Sequence, residues 1–464
     1  MLWKLKRTIL HTMVDTNMSY TKILLPKQDK HVYMCNQTNK LFNEDTSLVE
    51  LSYHFTYDIN EHIADSEWGS REKTNKPVRL RIILGQACNY DCTYCTQKDI
   101  GDPNERVKND KLFDFITGFD EHIDRSELRR VELWGGEPFL YWNDMQPLMK
   151  FFDDENIEFY ISTNGSTLME KHIEFFNTLK GKISMTISHD GPGQEALRGD
   201  EIFDKPRVQK VVKMMDNSYP KIEYGFNSVI TNTNYDLFAI NDFFRNIRDS
   251  LELKHLSIGY EIGRTYESAI ESDNHYSFSY ENVIHGENLE KFKDVLREYF
   301  KQHTEQLKTF GEDGLHSLIP NHNFEEREGS GSVLGYTRYT MLGQFPSGTT
   351  NCGVDWKRAI DLDLNGNVRT CQNVDTSHIS GNINNLKHIK IFAIDLDRKH
   401  EEHCSTCHVK MLCKSSCPIK LPAKTFQRNC SIEKVWYTEH LLAGLNIIFD
   451  DEVSIVEKGI LKIK

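Results

Sequence analysis

A chain of 464 residues, 38% hydrophobic and 27% charged, has the composition of an ordinary globular protein and enough length for two or three domains. Its net charge of −13 and pI near 5.8 argue against a nucleic-acid surface, which needs clustered Lys and Arg. No apolar run approaches the ~20 residues of a membrane helix. Met1 to Val14 carries Lys4, Lys6 and Arg7 without a long apolar stretch, so it does not read as a secretory signal.

In chain order, residues 1–76 form an N-terminal segment. Ile23-Leu24-Leu25 and His31 to Cys35 are short β-like runs, Asn36 to Asn39 is a turn, and Thr46 to Tyr57 is a short helix or strand. The segment is expected to pack at the edge of the main domain, with Cys35 as a small apolar strand residue. A polar stretch, Glu72 to Lys76, ends at Pro77 and marks a boundary.

From Val78 to about Gly263, strands are predicted at 80–84, 130–134, 157–162, 182–188, 222–230 and 255–262. Helices fall between them near 107–124, 143–153, 167–178, 205–216 and 234–248. Alternation at this spacing implies parallel βαβ units, and six units make a partial barrel. The fold class is therefore α/β, a partial (β/α)6 TIM-like barrel over 77–264, followed by a bridge over 265–350. The bridge holds an amphipathic helix, Glu287 to Phe310, with Phe292, Val295, Leu296, Phe300 and Leu307 near one stripe. It also holds a Gly- and Ser-rich loop, Gly329 to Gly343. A small cysteine-rich domain at 351–432 and a C-terminal helix and tail at 433–464 complete the chain.

Ten of the eleven cysteines fall in two groups. The first is Cys88, Cys92 and Cys95, directly after the first barrel strand. Three thiolates so close can ligate three irons of one [4Fe–4S] cube and leave the fourth iron open. A structural zinc is the alternative, but it normally takes four ligands. Trp134-Gly135-Gly136-Glu137-Pro138 follows the second strand. Its paired glycines let backbone approach a ligand, and its carboxylate can accept from an ammonium. Ser162-Thr163-Asn164-Gly165 and Ser188-His189-Asp190-Gly191-Pro192 end the third and fourth strands, with Arg198 beyond. Barrel enzymes place their sites at such strand ends. Asp190 either holds a substrate or shapes the Asp-Gly-Pro turn, and His189 is read as structural, with proton relay as the alternative.

The second group is Cys352, then thirteen residues, Gly366, four residues and Cys371, followed by Cys404, Cys407, Cys413, Cys417 and Cys430. Asp361 to Arg369 reads as a hairpin with an Asn-Gly turn at Asn365-Gly366. Zinc sites are again the alternative.

Along residues 78 to 430 these motifs resemble those of the radical S-adenosylmethionine (radical SAM) enzymes with a C-terminal SPASM domain, the peptide- and protein-maturing type. The resemblance rests on the CxxxCxxC with Tyr94 before its last cysteine, the GGEP run, the SxDGP run with Arg198, and the seven-cysteine spacing. It implies S-adenosylmethionine (SAM) and three [4Fe–4S] clusters. Cys88, Cys92 and Cys95 would hold the SAM-binding cluster. Tyr94, Gly135, Gly136, Glu137, Asn164, Ser188 and Arg198 would hold SAM, with Glu137 on its amine, Ser188 and Asn164 on its ribose and Arg198 on its carboxylate. Auxiliary cluster I would take Cys352, Cys371 and Cys417, with Asp355 as a candidate fourth ligand. Auxiliary cluster II would take Cys404, Cys407, Cys413 and Cys430.

The resemblance also implies an enzyme that generates a 5′-deoxyadenosyl radical and takes hydrogen from a ribosomal peptide to install a thioether or carbon–carbon crosslink. Sulfatase-type formylglycine formation, peptide epimerisation and small-molecule oxidation are alternatives. A metal-stabilised binding module without catalysis is the alternative of another class. The implied partners are a precursor peptide or protein and an electron donor such as flavodoxin or ferredoxin, with no nucleic acid and no membrane. The expected compartment is a reducing cytoplasm. Many such enzymes grip a leader peptide with an N-terminal module, and residues 1–76 form at most a degenerate one. Tyr336, Tyr339 and Asp361 are acid/base candidates without a motif.

Overall fold

A computed structural model of the chain describes residues 19–36, 41–49, 72–95, 97, 109–263, 282–309, 357–373, 379–388, 404, 406–413 and 423–456. Six parallel strands run in consecutive order: β4 (Arg79–Ile83), β5 (Arg130–Trp134), β6 (Glu158–Thr163), β7 (Lys182–Ser188), β8 (Ile222–Ile230) and β9 (Ile258–Ile262). The crossovers carry α1 (Asn109–His122), α2 (Trp142–Phe151), α3 (Glu170–Thr178), α4 (Gln194–Arg198), α5 (Pro206–Asn217) and α6 (Leu237–Leu251). Burial alternates strictly along β7. Ile183, Met185 and Ile187 sit in one core with Val208, Val211, Val212 and Met215 of α5, while Ser184, Thr186 and Ser188 are half-buried on the inward face. Period-two patterning thus gives each strand an apolar outer face, covered by helices, and a more polar inner one.

The barrel sheet does not stop at six strands. β10 (Ala359–Asp363) pairs parallel with β4, in the register Ala359 to Arg79 through Asp363 to Ile83. β11 (Asn367–Arg369) and β12 (Ile379–Asn382) extend it to nine strands. The expected Asn-Gly hairpin is present, with Gly366 at φ +75° and Asp363 Oδ1 accepting from the backbone of Asn365 and Asn367. Its place is the correction: it was read as part of a separate cysteine domain, and it instead closes onto the first barrel strand.

The N-terminal segment is also corrected. β1 (Tyr20–Leu25), β2 (Lys30–Cys35) and β3 (Leu41–Asn43) form an antiparallel sheet with β13 (Ser454–Ile455), in the order β13-β1-β2-β3. Ile23, Leu25, Val32 and Met34 pack against Val409, Leu412, Tyr437, Leu441 and Leu445, not against the barrel edge. Cys35 is a buried strand residue. Leu48 bridges to Phe42, and the rest of the stretch read as Thr46 to Tyr57 lies outside the described residues from 50 onward.

Two long helices tie the halves together. α7 (Glu287–Thr309) buries Phe292, Leu296, Tyr299 and Phe300, with Val295 packed beside them. The side chain of Leu307 and the loop 329–343 lie outside the described residues. A short helix, α8 (Lys410–Cys413), precedes α9 (Ala423–Phe449). Phe292 stacks on Trp436 of α9, and Arg297 pairs with Glu439 at 3.0 Å. Because α9 starts at Ala423, Cys430 lies inside the final helix, which was expected to begin only at 433.

Candidate functional site

The cysteine loop leaves β4 and is fastened at once to the loop after β5. Leu84 N donates to Trp134 O, Gly136 N to Gly85 O and Glu137 N to Ala87 O, while Ala87 N donates to Tyr141 Oη at 2.8 Å. The paired glycines are required here by contacts within the protein. A Cβ on Gly135 would stand 2.9 Å from Gly85 O, and one on Gly136 would stand 2.5 Å from Ala87 O. Their close approach is to the cysteine loop's own backbone.

Glu137 is fully enclosed. Its carboxylate accepts from Phe139 N, from Thr163 Oγ1 at 2.7 Å and from Asn164 N at 2.8 Å. Burial pushes its pKa up, against the pull of those three bonds. Three of its roughly four lone-pair positions are taken by protein donors, so the carboxylate ties the GGEP loop to the end of β6. Asn164 is equally engaged. Its Nδ2 reaches Asn89 Oδ1 at 2.9 Å and the Cys88 sulfur at 3.9 Å, and its Oδ1 accepts from Ser166. It therefore faces the first cysteine of the trio, and N–H groups aimed at ligand sulfurs are a means of tuning an iron–sulfur centre.

Cys88 is exposed, Cys92 buried and Cys95 half-buried. The Cys92 thiol is pushed up to about 12, chiefly by burial, with Arg198 pulling against it and the Cys95 and Cys88 thiols adding to it. Cys92 thus feels both other thiols, and Cys88 feels Cys95. Among the described residues no three His, Cys, Asp or Glu side chains are gathered as one ion needs. Three thiols spread over three irons of a cube need not be gathered so tightly. Among the described residues the donor set of three sulfurs fits a cube with one open iron.

Tyr94 and Arg198 meet over Asp190, which was read as a substrate holder or a turn former. Asp190 Oδ2 accepts from Tyr94 Oη at 2.5 Å and from Arg198 Nε at 2.8 Å, and Oδ1 accepts from Val229 N at 2.9 Å and Arg198 Nη2 at 3.3 Å. The Arg198 guanidinium lies 5.2 Å from the Tyr94 ring centroid. Two donor positions of Arg198, expected to face a SAM carboxylate, are thus spent on Asp190. Ser188 ends β7, half-buried on the inward face. His189 is fully buried among Phe203, Phe226, Phe243 and Phe244. Its Nδ1 accepts from Gly191 N, so Nε2 carries the proton and donates to Glu201 at 2.9 Å. That is a structural histidine.

Of the second cysteine group, Cys371, Cys404, Cys407, Cys413 and Cys430 are described, whereas Cys352, Cys417 and Asp355 lie outside the described residues. Cys371 leaves β11 beside the first trio. Gln97, two residues after Cys95, donates to Gln372 O at 3.2 Å, and the Cys371 thiol donates to Gln372 Oε1 at 3.4 Å. Behind them Arg81 bonds Gln372 Oε1 at 2.5 Å, Glu132 at 2.8 Å and Asp361 at 3.1 Å, and lies over the Trp134 ring. Asp361 is therefore a buried ion-pair partner, not an available acid or base. Tyr336 and Tyr339 lie outside the described residues.

Cys407, Cys413 and Cys430 share one neighbourhood with Cys404, around α8 and the first turns of α9. The Cys430 thiol is pushed up to about 11, chiefly by burial and then by Cys407 and Cys404. Burial also raises Cys413 well above an ordinary thiol, helped by Glu433, Cys430 and Cys407. Cys413 Sγ donates to Glu433 Oε2 at 3.0 Å.

Sequence reading missed Arg81, Gln97, Gln372 and Glu433. For Arg81 a signal was available: a charge centred in the apolar run Leu80-Arg81-Ile82 needs a buried partner. The others carry no local signal.

Residues 82–239 match the Radical SAM superfamily model. This stretch is a radical SAM domain. The chain is 24% identical over 197 residues to a radical SAM cyclopropyl synthase, TigE, of Paramaledivibacter caminithermalis, covering 38% of this chain and 41% of that protein. It is 29% identical over 106 residues to a GTP 3′,8-cyclase of Staphylococcus haemolyticus, covering 22% and 31% respectively. The matched part is less than half the length of these curated relatives. In fold it is similar to native anSMEcpe with bound AdoMet and Cp18Cys peptide, at 17% identity and a TM-score of 0.51, over 80% of this chain and 100% of that one. Among the described residues no helix is long and apolar enough to cross a membrane.

Proposed function

We propose that the chain is a radical SAM peptide maturase. When bound, the cluster and SAM would supply one-electron cleavage of a sulfonium and abstraction of a hydrogen atom from the substrate. The protein's part is to hold and orient. Cys88, Cys92 and Cys95 present three thiols for three irons, and the backbone ties from Gly85 and Ala87 to Gly136 and Glu137 fix their loop on the barrel. Asn164 aims its amide at Cys88, and Glu137 braces the loop by accepting from Phe139 N, Thr163 Oγ1 and Asn164 N.

The observation that carries the reading is the cysteine trio clamped to the GGEP loop at the C-terminal mouth of the barrel. The peptide substrate is supported by the neighbouring second group of cysteines, with Cys371 one contact from the Cys95 loop. A crosslink removes two hydrogens, and the electron left after hydrogen abstraction needs an acceptor near the site. Likeness to a cyclopropyl synthase supports the carbon–carbon branch over the thioether one.

Two experiments test this. Anaerobically reconstituted protein with dithionite and SAM should release 5′-deoxyadenosine, and release of none sinks the enzyme reading. Co-expression with a short peptide encoded beside this gene should lower the peptide's mass by two hydrogens per bond. An unchanged mass with altered stereochemistry would replace crosslinking by epimerisation.

A further inference from the structure

We infer that Asp190 is a positioning residue of the cluster site: it sets Tyr94 and Arg198 against the cysteine loop and cancels the charge of Arg198 beside Cys92. This rests on the radical SAM reading above.

Asp190 is fully buried at the end of β7. A carboxylate offers about four acceptor positions. Here four protein donors take them: Tyr94 Oη, Arg198 Nε, Arg198 Nη2 and Val229 N. No acceptor position faces a substrate. Nor is the carboxylate needed for its own turn. Gln194 Oε1 accepts from Asp190 N, Asn234 Nδ2 and Gly193 N donate to Asp190 O, and His189 Nδ1 accepts from Gly191 N. The turn is held by other groups, so the side chain is free to serve the three elements that converge on it.

Those elements are the cysteine loop, the end of α4 and β8. Tyr94 directly precedes Cys95, and its backbone neighbour Thr93 N donates to Leu197 O at 2.9 Å. The loop is thus joined to α4 twice, once by backbone and once through Asp190. Arg198 lies close enough to act on the Cys92 thiol, and it is always charged. A buried cation without a partner is costly, and the net charge around an iron–sulfur centre sets its potential. Paired with Asp190 at 2.8 Å, Arg198 presents the cluster site with an ion pair and not a lone cation.

The test uses the reconstituted holoenzyme and the electron paramagnetic resonance signal that responds to SAM. Asp190→Asn keeps the shape and removes the charge. It should keep the iron content, move the midpoint potential of that signal upward, and weaken SAM binding by about 10- to 100-fold, as loss of a ligand-orienting partner does. Tyr94→Phe keeps the ion pair, so it should weaken SAM binding but leave the midpoint in place. The double variant D190N/R198Q restores neutrality and should return the midpoint to the wild-type value while SAM binding stays weak.

D190N with normal iron, midpoint and SAM affinity overturns the inference. So does a double variant whose midpoint stays with that of D190N. If D190N does not hold iron, the double variant decides: iron with a wild-type midpoint supports charge cancellation, and loss of iron there too overturns it. A wild-type protein with no SAM-responsive signal would instead remove the radical SAM reading itself.

Discussion

Gly136 and Ala87 are in such close contact that no side chain fits between them: a Cβ on Gly136 would stand 2.5 Å from the Ala87 carbonyl oxygen. Ala87 is the residue before Cys88, so this contact sets where the cysteine trio begins. Gly136→Ala must push the loop away or bend the strand end, at a cost of about 1–3 kcal/mol as overpacking does. The expected outcome is reduced iron loading of the first trio with an intact barrel. Iron analysis beside circular dichroism checks it, and full loading with wild-type stability would show that the loop yields easily.

Glu137 links the same loop to β6 through Thr163 and Asn164. Glu137→Gln turns one acceptor into a donor facing an O–H or N–H. Leaving such buried groups unsatisfied costs about 1–3 kcal/mol. The unfolding midpoint of the SAM-free protein should fall. A midpoint equal to the wild type's would mean that the carboxylate does no structural service.

Arg81 is the cation that holds the β10–β11 hairpin on the barrel through Asp361. Its charge is favoured by Asp361 and Glu132 against desolvation. Arg81→Met leaves Asp361 buried without its partner, whereas Glu132 keeps Arg130 at 3.0 Å. Breaking a buried pair in this way costs roughly 3–5 kcal/mol. Faster hydrogen exchange at the β10 amides should follow, and R81M/D361L should recover most of the loss. Unchanged exchange in R81M would remove this role.

Two buried histidines set an acid limit. Burial lowers the pKa of His172 and of His440 to about 4, against an unfolded value of about 6.5. Below about pH 6.5 the unfolded chain binds protons that the folded one refuses. Stability is therefore full above that pH and drains as pH falls toward 4. At pH 5 each site has lost about 2 kcal/mol, at roughly 1.4 kcal/mol per unit. His440→Phe keeps a ring beside Phe300 and Trp436 and removes one of these sites. Urea midpoints at pH 7.5 and pH 5 should then differ less than in the wild type, and equal differences would exclude His440 as a source.

The barrel was legible because its signals are local. β5, β7 and β8 have the bounds that alternation and turn residues indicate, Arg130–Trp134, Lys182–Ser188 and Ile222–Ile230. The cysteine trio, the glycine pair and Asp190 were visible as motifs for the same reason. Their working contacts were not. That Gly136 abuts Ala87, and that Asp190 accepts from Tyr94, depends on which strand ends meet.

Sequence alone determined the element order, the strand ends that carry chemistry and the count of thiols, since spacing and periodicity are properties of neighbouring residues. Tertiary structure decided that β10 adds to β4, that Gln97 meets Gln372, and that the first strands pack on the last helix. Arg81 and Asp361 are 280 residues apart. No period or spacing links such positions. Only the shared need of a buried cation and a buried carboxylate for each other brings them together.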